Sequence, residues 1–168
     1  MALVFQFGSN MSTQRLNSKD RLCGDARPIG LACTVGQYNL GFTVWSQSNN
    51  CAAGDLVRAC GRHVWGVLYE IPEKLLSRKT AGNRLSLDAI EGSLYKRRKI
   101  KIYKPDNPQK VLTVWTYTVI NKQQGLLTSS DYVTHILNGL HEHKAPKEYI
   151  AHVKSRIYRN NPALKGKI

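Results

Sequence analysis

Acidic residues are scarce in this chain of 168: 11 Asp and Glu stand against 25 Lys and Arg, a formal net charge of +14. The shortage excludes an acidic, solvating composition, and it makes any carboxylate beside apolar residues a position to explain. The four cysteines, Cys23, Cys33, Cys51 and Cys60, contain no Cys-x-x-Cys pair. They therefore supply neither a zinc ribbon nor a dithiol redox motif, and they read as reduced thiols filling small spaces. No Gly-rich nucleotide loop and no Gly-x-Ser-x-Gly nucleophile elbow occurs. No apolar run approaches the roughly 18 residues of a membrane span, and the start lacks a basic region followed by an apolar core and a cleavage site. The expectation is a soluble, cytoplasmic protein with no membrane association.

With 42% hydrophobic and 21% charged residues, the chain reads as globular and long enough to bury its own core. One domain is expected over residues 1–160, followed by a basic tail, 161–168. Short apolar stretches punctuated by Gly and Asn, at Ile29 to Val35, Tyr38 to Trp45 and Asn49 to Val57, predict strands of a curved sheet. Alternation places Leu40, Phe42 and Val44 on one face, and Trp45 and Trp65 are expected to pack in the core. Val64 to Ile71 is a further strand, and Pro72 opens a helical turn through Leu76. Lys79 to Asn83 predicts a polar turn. Lys99 to Tyr103 and Val111 to Ile120 predict two strands around a turn at Lys104 to Pro108. The period then changes from two to about 3.6. Tyr132, Val133, Ile136, Leu137 and Leu140 mark one amphipathic helix capped by Ser129 or Ser130, and Tyr149, Ile150, Val153 and Ile157 mark a second after Ala145-Pro146.

Two stretches carry the candidate chemistry. In Leu87-Asp88-Ala89-Ile90-Glu91-Gly92-Ser93-Leu94-Tyr95, a short helix over 84–90 buries Leu87 and Ile90, and Gly92 ends it. Glu91 is thus a carboxylate at a helix end beside a glycine. Partial burial next to Ile90 and Leu94 would raise its pKa toward the range useful for proton transfer, whereas a solvated helix-end Glu would do nothing of the kind. Near the amino terminus, Leu3 to Phe7 is an apolar strand running through Gly8-Ser9-Asn10 into a polar, helix-like Ser12 to Leu22. Such a turn gathers backbone N–H groups where negative charge develops.

Other candidates are weaker. His141-Glu142-His143 does not share one helix face and has no third ligand, so no metal and no cofactor is expected. The run Lys96-Arg97-Arg98-Lys99-Ile100-Lys101 points alternately to two faces if it is a strand, and a solvated edge is its plainest reading. Tyr117 reads as a buried aromatic or as a hydroxyl in a site.

Phe7-Gly8-Ser9-Asn10-Met11, Val64-Trp65-Gly66-Val67-Leu68-Tyr69 and Leu87-Asp88-Ala89-Ile90-Glu91-Gly92 together resemble, in order and spacing, the three signature segments of the γ-glutamylcyclotransferase-like family. The resemblance runs from about Phe5 to about Arg156. It implies an α+β fold in which a small, mixed, strongly curved β-sheet or barrel is flanked by helices. It also implies an enzyme whose small-molecule substrate is a γ-glutamyl amide. In that chemistry the substrate's α-amino group attacks its own side-chain carbonyl, giving 5-oxoproline and releasing an amine. By position, Glu91 is the general base and acid. Val4, Phe5, Gln6, Phe7, Gly8 and Ser9 would hold the γ-glutamyl group, and Tyr132 would contact substrate or simply pack its helix. Asn10, Tyr95 and Tyr117 are further pocket candidates. Phe7 replaces the family's tyrosine, and the segment from Glu91 to Tyr95 is short. The sequence leaves open whether the leaving group is an amino acid, an amine, glutathione or a larger metabolite. The competing class is a non-catalytic protein of the same fold that binds nucleic acid or an acidic partner through its basic surface, and it would be indifferent to Glu91→Gln.

Overall fold

In a computed structural model the described residues are 1–77 and 85–168. The polar turn expected at Lys79 to Asn83 lies outside them, as does the first residue of the expected helix over 84–90. Five strands close a barrel in the order β1-β5-β2-β6-β7: β1 (Ala2–Gln6), β2 (Arg27–Thr34), β5 (Trp65–Ile71), β6 (Tyr95–Lys104) and β7 (Asn107–Val119). All neighbours pair antiparallel except β1 and β7, which meet in parallel at Val4 and Trp115 and complete the closure. Closure removes the exposed strand edges that a small sheet would otherwise present. β3 (Tyr38–Ser46) and β4 (Cys51–Arg58) form a separate two-stranded sheet. Leu40, Phe42 and Val44 are buried on it, but Trp45 is 40% exposed. The same alternation that turns Val44 inward turns Trp45 out, correcting the expectation that it packs in the core. Trp65 is half-buried against the core.

The helices are α1 (Thr13–Leu16), α2 (Leu87–Glu91), α3 (Ser130–Glu142) and α4 (Lys147–Asn160). α1 stops well short of the expected Ser12 to Leu22, because Asn17 turns its carboxamide onto the backbone of Ala26, donating to its C=O at 2.8 Å and accepting from its N–H at 2.9 Å. Asn side chains that bond nearby backbone compete with helix continuation in this way. The β6–β7 connection is also tighter than expected. Lys104 pairs with Asn107 across a two-residue turn, and a register shift beside Tyr103 absorbs Pro108, a place in a strand where proline is tolerated. α3 begins at the Ser129 cap, whose hydroxyl accepts from the Tyr132 N–H. The carboxy-terminal residues fold back, with Leu164 buried and Asn161 donating to the Thr128 C=O. No helix among the described residues is long and apolar enough to cross a membrane.

Two glycines set how closely the layers approach. A Cβ at Gly66 of β5 would meet the Gln6 carbonyl oxygen at 2.4 Å, and one at Gly139 of α3 would meet the backbone carbon of Met11 at 2.7 Å. The segment from Gln6 to Met11 is thereby clamped between β5 and α3. Asp55, fully buried, ties the two sheets together: it accepts from the Thr43 hydroxyl and the Val119 N–H and pairs with Lys122.

Candidate active site

Glu91 ends α2, which starts at Ser86, whose hydroxyl caps the Ala89 N–H, and stops at Gly92 with φ at 88°. That left-handed turn favours glycine. The end of β1 and the single 3-10 turn over Ser9–Met11 that follows it lie against α2 through one carboxamide each. Gln6 Nε2 and Asn10 Nδ2 both donate to Glu91 Oε1, at 3.2 and 2.9 Å. Among the described residues no hydrogen bond falls on Oε2. Burial pushes the Glu91 carboxyl up from the ordinary range. The Asn10 and Gln6 donors, and more weakly Arg21 and Arg15, hold it down against that rise. Arg21 Nη1 in turn donates to Asn10 Oδ1 at 2.8 Å, which fixes which end of the Asn10 carboxamide faces Glu91.

A narrow cavity of about 30 Å³ is lined by Gln6, Phe7, Gly8, Ser9, Asn10, Gly54, Glu91, Tyr95, Tyr117 and Tyr132. As it stands that is room for a water or two. It adjoins a wider groove of about 400 Å³ bounded by Asp88, Gly92, Ser93, Lys96 and Arg97, the two sharing Tyr95 and Tyr117. Three phenols enclose Glu91. Tyr132 accepts from the Gly54 N–H at 2.8 Å, Tyr95 donates to the Gly54 C=O at 2.7 Å, and Tyr117 donates to Asp88 Oδ1 at 2.6 Å. Desolvation raises all three hydroxyls above the usual tyrosine value, so each is a neutral donor or acceptor near neutral pH.

Of the residues proposed from sequence, Gln6 to Asn10, Glu91, Tyr95, Tyr117 and Tyr132 thus meet around one cavity. Val4 and Phe5 do not line it. Their side chains are buried in the barrel core, and the Phe5 carbonyl already accepts from the Thr116 hydroxyl at 2.8 Å. Sequence reasoning missed Gly54, whose backbone forms part of the wall. Its signal was a glycine inside the small-residue strand Cys51-Ala52-Ala53-Gly54, which often marks a close approach. Asp88 was also missed as a partner; its i,i+3 spacing from Glu91 places both on one side of α2, where it bonds Tyr117 and faces Arg97 Nε at 3.6 Å. His143 Nε2 bonds the Thr13 hydroxyl at 3.1 Å and lies 3.4 Å from Glu142 Oε1, and no cluster of three or more His, Cys, Asp or Glu occurs among the described residues.

The model of the AIG2-like family matches residues 63–153, a span that includes Gly66, Glu91 and Tyr132. The chain belongs to the AIG2-like family. Among solved structures, an uncharacterized protein from Homo sapiens superposes with a TM-score of 0.77 at 24% identity, over 91% of this chain and 86% of that one. A γ-glutamyl cyclotransferase superposes at 0.76 with 23% identity over the same shares. YkqA from Bacillus subtilis does so at 0.72 with 20% identity, over 93% of this chain and 54% of its own. No match is found among curated protein sequences. At these identities the superpositions establish the fold: this AIG2-like chain has the γ-glutamyl cyclotransferase-like architecture, a closed barrel flanked by helices.

Proposed function

We propose that this AIG2-like protein is a γ-glutamyl cyclotransferase, cleaving a γ-glutamyl amide by intramolecular attack of the α-amino group on the γ-carbonyl. The observation that carries the reading is the state of Glu91: a carboxylate anchored through one oxygen by two carboxamides, with the second oxygen unbonded among the described residues, at the wall of a cavity. One oxygen is held for orientation and the other is left for proton transfer.

The chemistry follows from that division. A substrate enters with its α-amine as an ammonium, which has no lone pair to attack. Glu91 Oε2 takes one ammonium proton, the freed amine bonds to the γ-carbon, and the carbonyl π electrons move to oxygen. When the tetrahedral oxyanion collapses, the C–N bond to the leaving group breaks and the departing nitrogen receives the proton from Glu91; the ring nitrogen, which still carries two hydrogens, gives one of them to the regenerated carboxylate, which releases it to solvent. The products are 5-oxoproline and a free amine, and Glu91 ends as it began. Because nucleophile and electrophile belong to one molecule, the protein mainly has to fold the substrate and manage protons. The turn through Gly8 and Ser9 and the Tyr132 hydroxyl supply neutral donors for the oxyanion and the glutamyl head. A glutamyl group is larger than the cavity as it stands, so its binding must widen the walls, with the leaving group lying toward the groove beyond Tyr95 and Tyr117.

The test is amine release and 5-oxoproline formation from a panel of γ-glutamyl amides. Glu91→Gln is expected to remove about 10²- to 10⁴-fold of turnover, with the fold retained. A folded wild type inactive on the panel, or a Glu91→Gln enzyme as active as wild type, overturns the reading.

A second reading rests on β6 and β7. Lys99 Nζ lies 3.7 Å from the Trp115 ring centroid and Arg97 lies 5.1 Å from it, so an aromatic ring does sit among the basic run, supplied across the strand pair rather than along the sequence. A nucleic acid bound there would show steep salt dependence and indifference to Glu91→Gln. Both cations already cover that ring, which leaves less of it for a base to stack on and favours the enzymatic reading.

A further inference from the structure

On the far side of Asn10 from Glu91 lies a second cleft, of about 510 Å³, whose charged walls are Arg15, Arg21 and Asp20. Its chemistry is uncompensated in three respects. The two guanidiniums repel one another, and burial together with Arg21 makes the charged form of Arg15 less favourable. Arg15 Nε is buried and has no hydrogen-bond partner among the described residues, although Nη2 of the same group donates to Asn49 Oδ1 at 2.9 Å. Nε keeps the desolvation penalty of an unpaired donor and does not itself open on the cleft. Asp20, the only carboxylate at the wall among the described residues, is exposed and bonded by the Ser18 hydroxyl at 2.6 Å. The remaining wall consists of uncharged donors, among them Ser48, Asn49 and Asn138, and of His135, which burial and both arginines keep toward its neutral form.

We propose that the Arg15–Arg21 cleft is a binding site for the phosphate group of a small phosphorylated metabolite, separate from the cavity at Glu91 and connected to it through Asn10. Two guanidiniums with neutral donors beside them suit a group that offers several acceptor oxygens and two negative charges. The cleft volume exceeds what inorganic phosphate fills, so a larger organic phosphate has room. The connection is a chain of two hydrogen bonds: Arg21 holds Asn10 Oδ1, and Asn10 Nδ2 holds Glu91 Oε1. An anion that draws Arg21 away, or neutralises it, alters the hold on Glu91 without entering the catalytic cavity.

The binding measurement does not depend on the proposed reaction. Inorganic phosphate is titrated into the full-length protein at constant ionic strength, followed by calorimetry and by the His135 ring resonances. The expected result is saturable one-to-one binding, weakened about tenfold or more by Arg15→Gln, partly preserved in Arg15→Lys, and unchanged by Lys99→Gln on β6. Thermal melting of each variant checks the fold, and Arg15→Lys keeps the test decisive if Arg15→Gln unfolds. Absence of saturation overturns the proposal, as does equal weakening by Lys99→Gln, which would mean attraction to overall charge. Succinate binding as tightly as phosphate overturns the assignment of phosphate, and displacement of phosphate by a γ-glutamyl amide overturns the separateness of the site. The link to Asn10, which rests on the cyclotransferase reading, is tested by turnover: phosphate is expected to lower kcat without competing for KM. Competitive inhibition counts against the proposal, whereas an inactive wild type that still binds phosphate through Arg15 refutes the cyclotransferase reading alone.

Discussion

At the scale of single residues, the feature that suits Glu91 to proton transfer also works against stability. Its pKa is raised by burial, so the folded state binds its proton more tightly than the unfolded state does. The sign follows by linkage: the cost of ionised Glu91 is absent below the unfolded carboxylate pKa and present in full once pH has risen past the folded value. Glu91→Gln is neutral at every pH and keeps an acceptor for Asn10 and Gln6. The variant is therefore expected to melt above the wild type at neutral pH, with the difference shrinking as pH falls toward about 4; melting curves across that range check it. Asn10→Ala makes the complementary case. Removing the strongest of the groups that lower the Glu91 pKa moves the acidic limb of the kcat/KM profile to higher pH. A limb unmoved by Asn10→Ala would mean that the 2.9 Å contact does not act on the base.

At the scale of elements, the site depends on two close packings rather than on any strand's own preference. Ala at position 139 would drive its Cβ into the backbone of Met11 and Ser12, at 2.7 and 2.8 Å. Backbone atoms cannot swing aside as a side chain would, so Gly139→Ala should cost about 1–3 kcal/mol and, by lifting the Ser9–Met11 turn off α3, lower activity more than an equally destabilising change in α4. Val153→Ala in α4 provides that comparison by denaturant melts alongside turnover. The strands were legible in the sequence where their burial alternates or is continuous, and α3 and α4 because the 3.6 period persists over three turns; the charged start of β6 at Tyr95 and the polar start of β7 at Asn107, each four residues before the expected strand, carry no such pattern. What was not legible is tertiary. Asn17 ends α1 by reaching Ala26, nine residues on; Arg21 finds Asn10 only once the loop after α1 has folded back; Gly54 meets Tyr132 across 78 positions. Glu91 stood out because a local pattern, helix end plus glycine, already marked it. Gln6 and Asn10 came with the signature around Gly8, but nothing in their spacing said that they grip the same carboxylate oxygen.

At the scale of the whole molecule, the excess of positive charge acts on substrates before any contact forms. The chain carries a net charge of +14, and the groove beside Glu91 has Lys96 and Arg97, against Asp88, at its rim. Within that field an anionic substrate is concentrated and a zwitterion of zero net charge is not. The γ-glutamyl head alone is a zwitterion, one ammonium and one carboxylate, so the net charge of a substrate is set by its leaving group. An amino-acid leaving group adds a carboxylate, and a simple alkylamine adds nothing. Screening at roughly physiological ionic strength shortens the reach of surface charge to about 8 Å. KM for a γ-glutamyl amino acid is therefore expected to rise several-fold between low and physiological salt, while KM for a γ-glutamyl alkylamide stays level and kcat is unchanged for both. Salt affects encounter and binding, whereas the proton transfers at Glu91, half-buried in the wall it shares with Gln6, Asn10 and three tyrosines, occur at contact distance, too short for screening to act on. A kcat that fell with salt for both substrates would place the effect of charge inside the cavity instead, and would direct attention to Arg15 and Arg21 as its source.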